Sequence, residues 1–173
     1  MKTSTALAGC SAAALIACLG NPATSQGAPR GQPHIDRKYG WSITYPSDWR
    51  VAQKGYTEFT PKSNDAVCGV HVATRPPATT NQLTDAVLAT MARNLERDSG
   101  LKTTVLARKT VKLLSGQSAN DVLVDLIPGG RSHRLFVVAE NGRGYLIDCE
   151  TYLAKWHDYQ SIFESFIQSL RID

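Results

Sequence analysis

Cys68 and His71 set a thiol and an imidazole three residues apart, the first pairing in this chain that could do chemistry. In a strand that odd spacing turns the two side chains to opposite faces, so the histidine cannot act as base for the sulfur. The chain also holds Cys149, while Cys10 and Cys18 lie in the apolar N-terminal stretch. Cys68 and Cys149 are therefore the pair available to a folded domain, and in an oxidising compartment such a pair forms a disulfide. Closing a loop of about 80 residues would stabilise the fold by roughly 4 kcal/mol.

Two carboxylates, Asp148 and Glu150, share the other face of the strand that carries Cys149, about 7 Å apart. Paired acids at such spacing serve glycoside hydrolysis, but the same pattern describes a solvated sheet face, the reading taken here for Asp121 and Asp125 as well. His34, His71, His133 and His157 are far apart, without the close His or Cys spacing of a zinc site. No phosphate-binding glycine loop, Gly-x-Ser-x-Gly or Cys-x-x-Cys motif occurs. No catalytic residue, metal or cofactor is expected. A hydrolase would need a centre assembled from distant residues, for instance His133 with Asp148 in one cleft. Arg131, His133 and Arg134 cluster beside a turn and are the candidates for contact with an acidic partner. The aromatic rings of Trp41, Trp49, Trp156 and Tyr159 read as core rather than as a ligand platform.

Such residues need elements to position them. Trp41 to Tyr45 alternates apolar and polar residues, predicting a strand that ends at Pro46, with Pro at the second position of a type I turn. Trp49 to Ala52 and Tyr56 to Thr60 form a hairpin across Gly55, and Asp65 to Thr74 is a stronger strand. Leu83, Val87, Leu88, Met91 and Leu95 recur at helical spacing over Thr80 to Ser99, with Thr79 or Thr80 and Gly100 as caps. Leu101 to Leu114 is rich in β-branched residues. Asn120 to Ile127, His133 to Glu140 and Arg143 to Thr151 make a meander through turns at Pro128-Gly129-Gly130 and Asn141-Gly142. Ala154 to Leu170 closes the chain as an amphipathic helix. Strands joined by short turns and two one-sided helices predict an α+β domain: a mostly antiparallel sheet flanked by two amphipathic helices.

Met1-Lys2 followed by the apolar run Ala6 to Gly20 matches a secretory signal, with small residues before a cut ahead of Gln26. Leu15-Ile16-Ala17-Cys18 also resembles a lipobox, which would acylate Cys18 and tether the domain to a membrane; Leu7-Ala8-Gly9-Cys10 has the letters but too short an apolar lead. Residues 1–25 are thus expected to be a signal peptide, 26–38 a flexible lead-in and 39–173 one domain. The 173-residue chain is 42% hydrophobic and 20% charged, ordinary globular composition. Beyond residue 25 it holds 18 basic against 15 acidic side chains, too mild and too scattered for nucleic acid.

The segment Tyr39-Gly40-Trp41-Ser42-Ile43-Thr44-Tyr45-Pro46-Ser47-Asp48-Trp49 resembles the opening of PsbP-like domains, where an amphipathic strand runs into a Tyr-Pro-x-x-Trp turn. The ending Phe163-Glu164-Ser165-Phe166-Ile167-Gln168-Ser169-Leu170 is similar to the final helix of that family, and the order of elements agrees between them. The resemblance implies the antiparallel sheet and flanking helices shared by PsbP, DcrB-like lipoproteins and the Ran-binding Mog protein. It implies a non-enzymatic binding or accessory role and carries over no functional residue. The expected partner is a protein or complex of the bacterial cell envelope, at a periplasmic or lipid-anchored location. A small-molecule or lipid binder using a groove between sheet and helix is the alternative.

Overall fold

Seven antiparallel strands form the main sheet of the computed structural model, which describes residues 31–127 and 130–173. In chain order the strands are β1 (Gly31–Asp36), β2 (Trp41–Pro46), β3 (Arg50–Gln53), β4 (Thr57–Thr60) and β5 (Ala66–Ala73). Helix α1 (Thr80–Ser99) follows, then β6 (Lys102–Lys112), β7 (Ser118–Ile127), β8 (Arg131–Glu140) and β9 (Arg143–Tyr152). A 3-10 turn (Leu153–Lys155) leads into α2 (Trp156–Gln168) and the short β10 (Arg171–Ile172). The large sheet has the order β3-β4-β5-β9-β8-β7-β6, and a second sheet of three strands has the order β1-β2-β10. The expected α+β architecture with two flanking helices is present.

Local chemistry explains the boundaries. Thr79 caps α1 through its hydroxyl, which accepts from the Gln82 N–H, while the Gln82 side chain accepts from the Thr79 N–H. Gly100 ends the helix in the left-handed conformation at φ 68°. Asn141 and Gly142 both have positive φ, the backbone a two-residue turn between twisted strands requires. The helices take opposite faces. α1 packs over Val122, Val124 and Leu135, with Leu146 at the edge. α2 joins β2 over the other face, burying Phe163 and Phe166 against Phe136, Val138 and Ile147. The two segments that carried the family resemblance meet there. The Ser169 hydroxyl accepts from the Thr44 N–H at 2.8 Å, and Ile172 pairs with Trp41.

Three expectations need correction. The lead-in placed over residues 26–38 is ordered from Gly31, because Gly31–Asp36 pairs along all of β2. A stretch rich in Gly, Pro and polar residues with no hydrophobic period reads as a lead-in, yet an edge strand needs no such period and tolerates Pro33 on its outer side. The turn after β2 begins one residue later than expected: Trp49 N–H donates to the Pro46 carbonyl, so Pro46 is its first residue. The last helix is shorter than Ala154 to Leu170, since a 3-10 turn precedes it and β10 follows. The leader, with its cleavage and lipidation candidates at Cys10, Cys18 and Gln26, lies outside the described residues, as do Pro128 and Gly129.

Candidate functional site

α1 makes its main contacts with β6, β7 and β8, so the β3-β4-β5 half of that face is left half-exposed. Strand register decides what gathers there. His133 on β8 stands opposite Glu150 on β9, Leu135 opposite Asp148, and Asp148 opposite Gly69 on β5. The result is an ion cluster across β8 and β9, with Gly69 of β5 beside it.

His133 is at its centre and only 6% exposed. Its Nδ1 lies 2.9 Å from Asp148 Oδ1 in a hydrogen bond. Its Nε2 lies 3.0 Å from Glu150 Oε2, an ion-pair distance, although that nitrogen has no aligned hydrogen-bond acceptor. Burial by itself would lower the imidazole pKa; the two carboxylates more than reverse this and lift it to about 9. His133 is therefore an imidazolium at neutral pH. Burial pushes the Glu150 carboxyl upward, but His133 and Arg131 outweigh it and hold Glu150 below the usual range. Arg131 bonds Glu150 and lies over the Tyr152 ring at 4.8 Å.

Beside this cluster, Tyr56 stacks on His71 with ring centroids 4.3 Å apart. The pair folds over Gly69, where a Cβ would stand 2.9 Å from His71 Nε2 and 3.4 Å from Tyr56 Cε2. A larger residue there would push the His71 ring aside. The Tyr56 hydroxyl donates to Glu58, which also accepts from Lys54. Burial lowers the His71 pKa, with Asp148 opposing, so His71 stays neutral beside the charged His133. Between this patch and α1 runs a groove of about 500 Å³, floored by Leu135 and Leu146 and walled by Val87 and Met91.

The predicted site residues sort differently from their order in sequence. Cys68 and Cys149 face each other across β5 and β9 and form a disulfide, with no exposure to solvent. Arg131, His133 and Arg134 do not make one basic patch. Side chains alternate along β8, so Arg131 and His133 lie on the α1 face while Arg134 lies on the α2 face. All three are bound within the protein, Arg134 through paired hydrogen bonds to Asp121 at 3.0 and 2.8 Å. Asp121 is buried rather than solvated, and Arg134 with Lys109 holds its pKa down against the effect of burial. Asp148 and Glu150, expected on a solvated face, are both ion-paired to His133. Trp41 and Trp49 are buried, and Trp156 and Tyr159 pack against the same core. Tyr56, Glu58 and the Met91 wall were not singled out in sequence. The signal was present in the same-face spacing of Tyr56 with Glu58 and of Gly69 with His71, but the pairing of their strands was not. Among the described residues, no group of three or more His, Cys, Asp or Glu side chains is placed to hold a metal ion.

No protein-family model matches the chain, and no curated protein sequence matches it. Solved structures do. The solution structure of cyanobacterial PsbP from Synechocystis sp. PCC 6803 superposes with a TM-score of 0.67 at 19% identity, covering 90% of this chain and 99% of that one. The chain has the PsbP-like fold. The Saccharomyces cerevisiae Ran-binding protein Mog1p shares this fold, with a TM-score of 0.61 at 8% identity over 84% of this chain and 96% of its own. A Pseudomonas aeruginosa protein of unknown function matches with a TM-score of 0.50 at 14% identity, over 83% and 97% of the two chains. At such identities the PsbP-like fold is what is shared, and site residues are argued from this chain alone.

Proposed function

We propose that this chain is a non-enzymatic binding or accessory protein acting outside the cytoplasm, at the bacterial cell envelope, through contact with a protein partner. The observation that carries the non-enzymatic part is the state of His133. It sits beside Asp148 as a general base would, yet an imidazolium held by two carboxylates has no free nitrogen to accept a proton at neutral pH. The thiols that could serve as nucleophiles are joined to each other, on the opposite face of the sheet. The Cys68–Cys149 bond and the apolar run Ala6 to Gly20 support export to an oxidising compartment. Mog1p, a PsbP-like neighbour, is described as a Ran-binding protein, which supports protein recognition as a use of this scaffold.

One preparation from the native host tests both halves. Photo-crosslinking side chains placed at the exposed positions Thr90, Asn94 and Thr110 should each be tried in intact cells, and the purified protein weighed. A recurrent crosslinked protein, together with a mass that begins at Gln26 or at acylated Cys18 and lacks two thiol hydrogens, is the expected result. A protein retaining residues 1–25 with free thiols, or no product from any of the three positions, would overturn the proposal.

The α1 groove supports a second reading, a small amphipathic ligand seated on Leu135 and Leu146. In that case Met91→Trp, which fills the groove, would abolish the ligand's effect on melting temperature and leave the crosslinks unchanged.

A further inference from the structure

Most side chains of β6 are exposed, although Arg108 reaches across to Asp85 and Asn81 on α1, and one edge of the strand is open. Of its eleven residues only Thr103 and Val111 are even half-buried. It is the last strand of the seven-stranded sheet, paired with β7 alone. From Leu101 to Ala119 the chain carries four basic residues, Lys102, Arg108, Lys109 and Lys112, and no acidic one. Exposed apolar side chains stand at both ends of its regular stretch: Val105 and Leu106 at 47% and 53%, and Leu114 at the hairpin tip at 75%.

The direction of the backbone groups follows from the turn. Leu113 N–H donates to the Gln117 carbonyl across the hairpin. With the two-residue period of a strand, Ala107, Lys109 and Val111 also point their N–H and C=O groups at β7. Arg108, Thr110 and Lys112 therefore turn theirs outward. A bulge at Leu106 interrupts the register, so the open template runs from Ala107 to Lys112.

We propose that the Ala107–Lys112 edge of β6 receives an extended acidic segment of a partner protein as an added strand. This rests on the protein-binding reading above and names its surface. Charge selects the occupant. A second copy of β6 would set basic residues against basic residues, which opposes self-pairing. Glutamate or aspartate on an incoming strand would instead meet Lys112, and Lys109 beside its ion pair with Asp121, while its apolar residues reach Leu106 and Leu114.

The test uses the mature protein and a short acetylated peptide alternating glutamate and valine, with a lysine-for-glutamate peptide as control. Binding of the glutamate peptide, weakened by salt and accompanied by slowed amide exchange at Arg108, Thr110 and Lys112, is expected. Thr110→Pro removes an N–H that faces solvent together with the hydroxyl that donates to Asn120 Oδ1; it should lower the urea midpoint no more than Thr110→Val does, yet abolish the binding that Thr110→Val retains. Lys109→Gln combined with Lys112→Glu should weaken binding roughly tenfold or more, and this variant decides the matter if the proline variant does not fold. Equal binding of the lysine peptide, protection confined to α1, or binding to anionic phosphatidylglycerol vesicles that Thr110→Pro leaves intact would each overturn the proposal. A partner crosslinked from Thr90 or Asn94 but never from Thr110 would overturn this surface while leaving the binding role standing.

Discussion

His133 converts a sheet position into a pH-dependent contribution to stability. Its folded pKa of about 9 lies above the ordinary 6.5, so the native state holds its proton more tightly than the unfolded chain does. The stabilisation is fully present below about pH 6.5 and is lost as pH rises through about 9, with an upper bound of about 3 kcal/mol. Urea unfolding of the wild type should show this decline, and His133→Gln should flatten it over the same window. A wild-type curve without slope there would refute the ion cluster. His34 and His71 act with the opposite sign. Burial lowers both against the pull of Asp36 and Asp148 respectively, so their contribution falls as pH drops below 6.5. The pairing of His133 with Asp148 could be raised from sequence because both belong to neighbouring strands of one meander. Glu150 as the second partner, and the raised pKa, depend on a register that residue spacing alone does not reveal.

At the scale of elements, α1 is the less securely held helix. Only Leu83 and Thr84 on it are buried, and Val87, Leu88, Met91 and Leu95 remain half-exposed. Its docking depends on Gly144 in β9, where a Cβ would stand 2.7 Å from Leu83 Cδ2 and 2.9 Å from Pro76 Cβ. Gly144→Ala is expected to destabilise the protein by about 1–3 kcal/mol, with faster amide exchange across α1 and little change in α2. Equal loss of protection in both helices would show that Gly144 does not act through the α1 contact. The periodicity that predicts α1 is correct in both boundaries and caps, because helix signals are local. β1 and β10 were missed because each forms by pairing with β2, and neither carries a hydrophobic pattern of its own.

For the whole molecule, the Cys68–Cys149 bond spans 81 residues, from the middle of the sheet past α1 and back to β9. Replacing both cysteines by alanine should lower unfolding stability by about 4 kcal/mol in the chain-entropy account, with some further loss because both sulfurs are buried. A double variant within about 1 kcal/mol of wild type would contradict that account. The bond is anchored on β9 at Cys149, between Asp148 and Glu150, whose side chains take the opposite face of that strand and hold His133. Loosening it should therefore reduce the His133 pKa as well as the melting temperature.

Amino-acid order determined the helices, most strands, the turns and the antiparallel α+β plan, since capping, turn chemistry and hydrophobic period all act within a few residues. It also marked Cys68 and Cys149 as partners by leaving no other pair in the folded domain. Tertiary structure decided which side chains share a face: it parted Arg134 from Arg131 and His133, placed Glu150 on His133, and left the outer edge of β6 open. Strand register and helix placement are set by packing between residues far apart in the chain, and a one-residue change in register would have turned every one of those side chains to the other face.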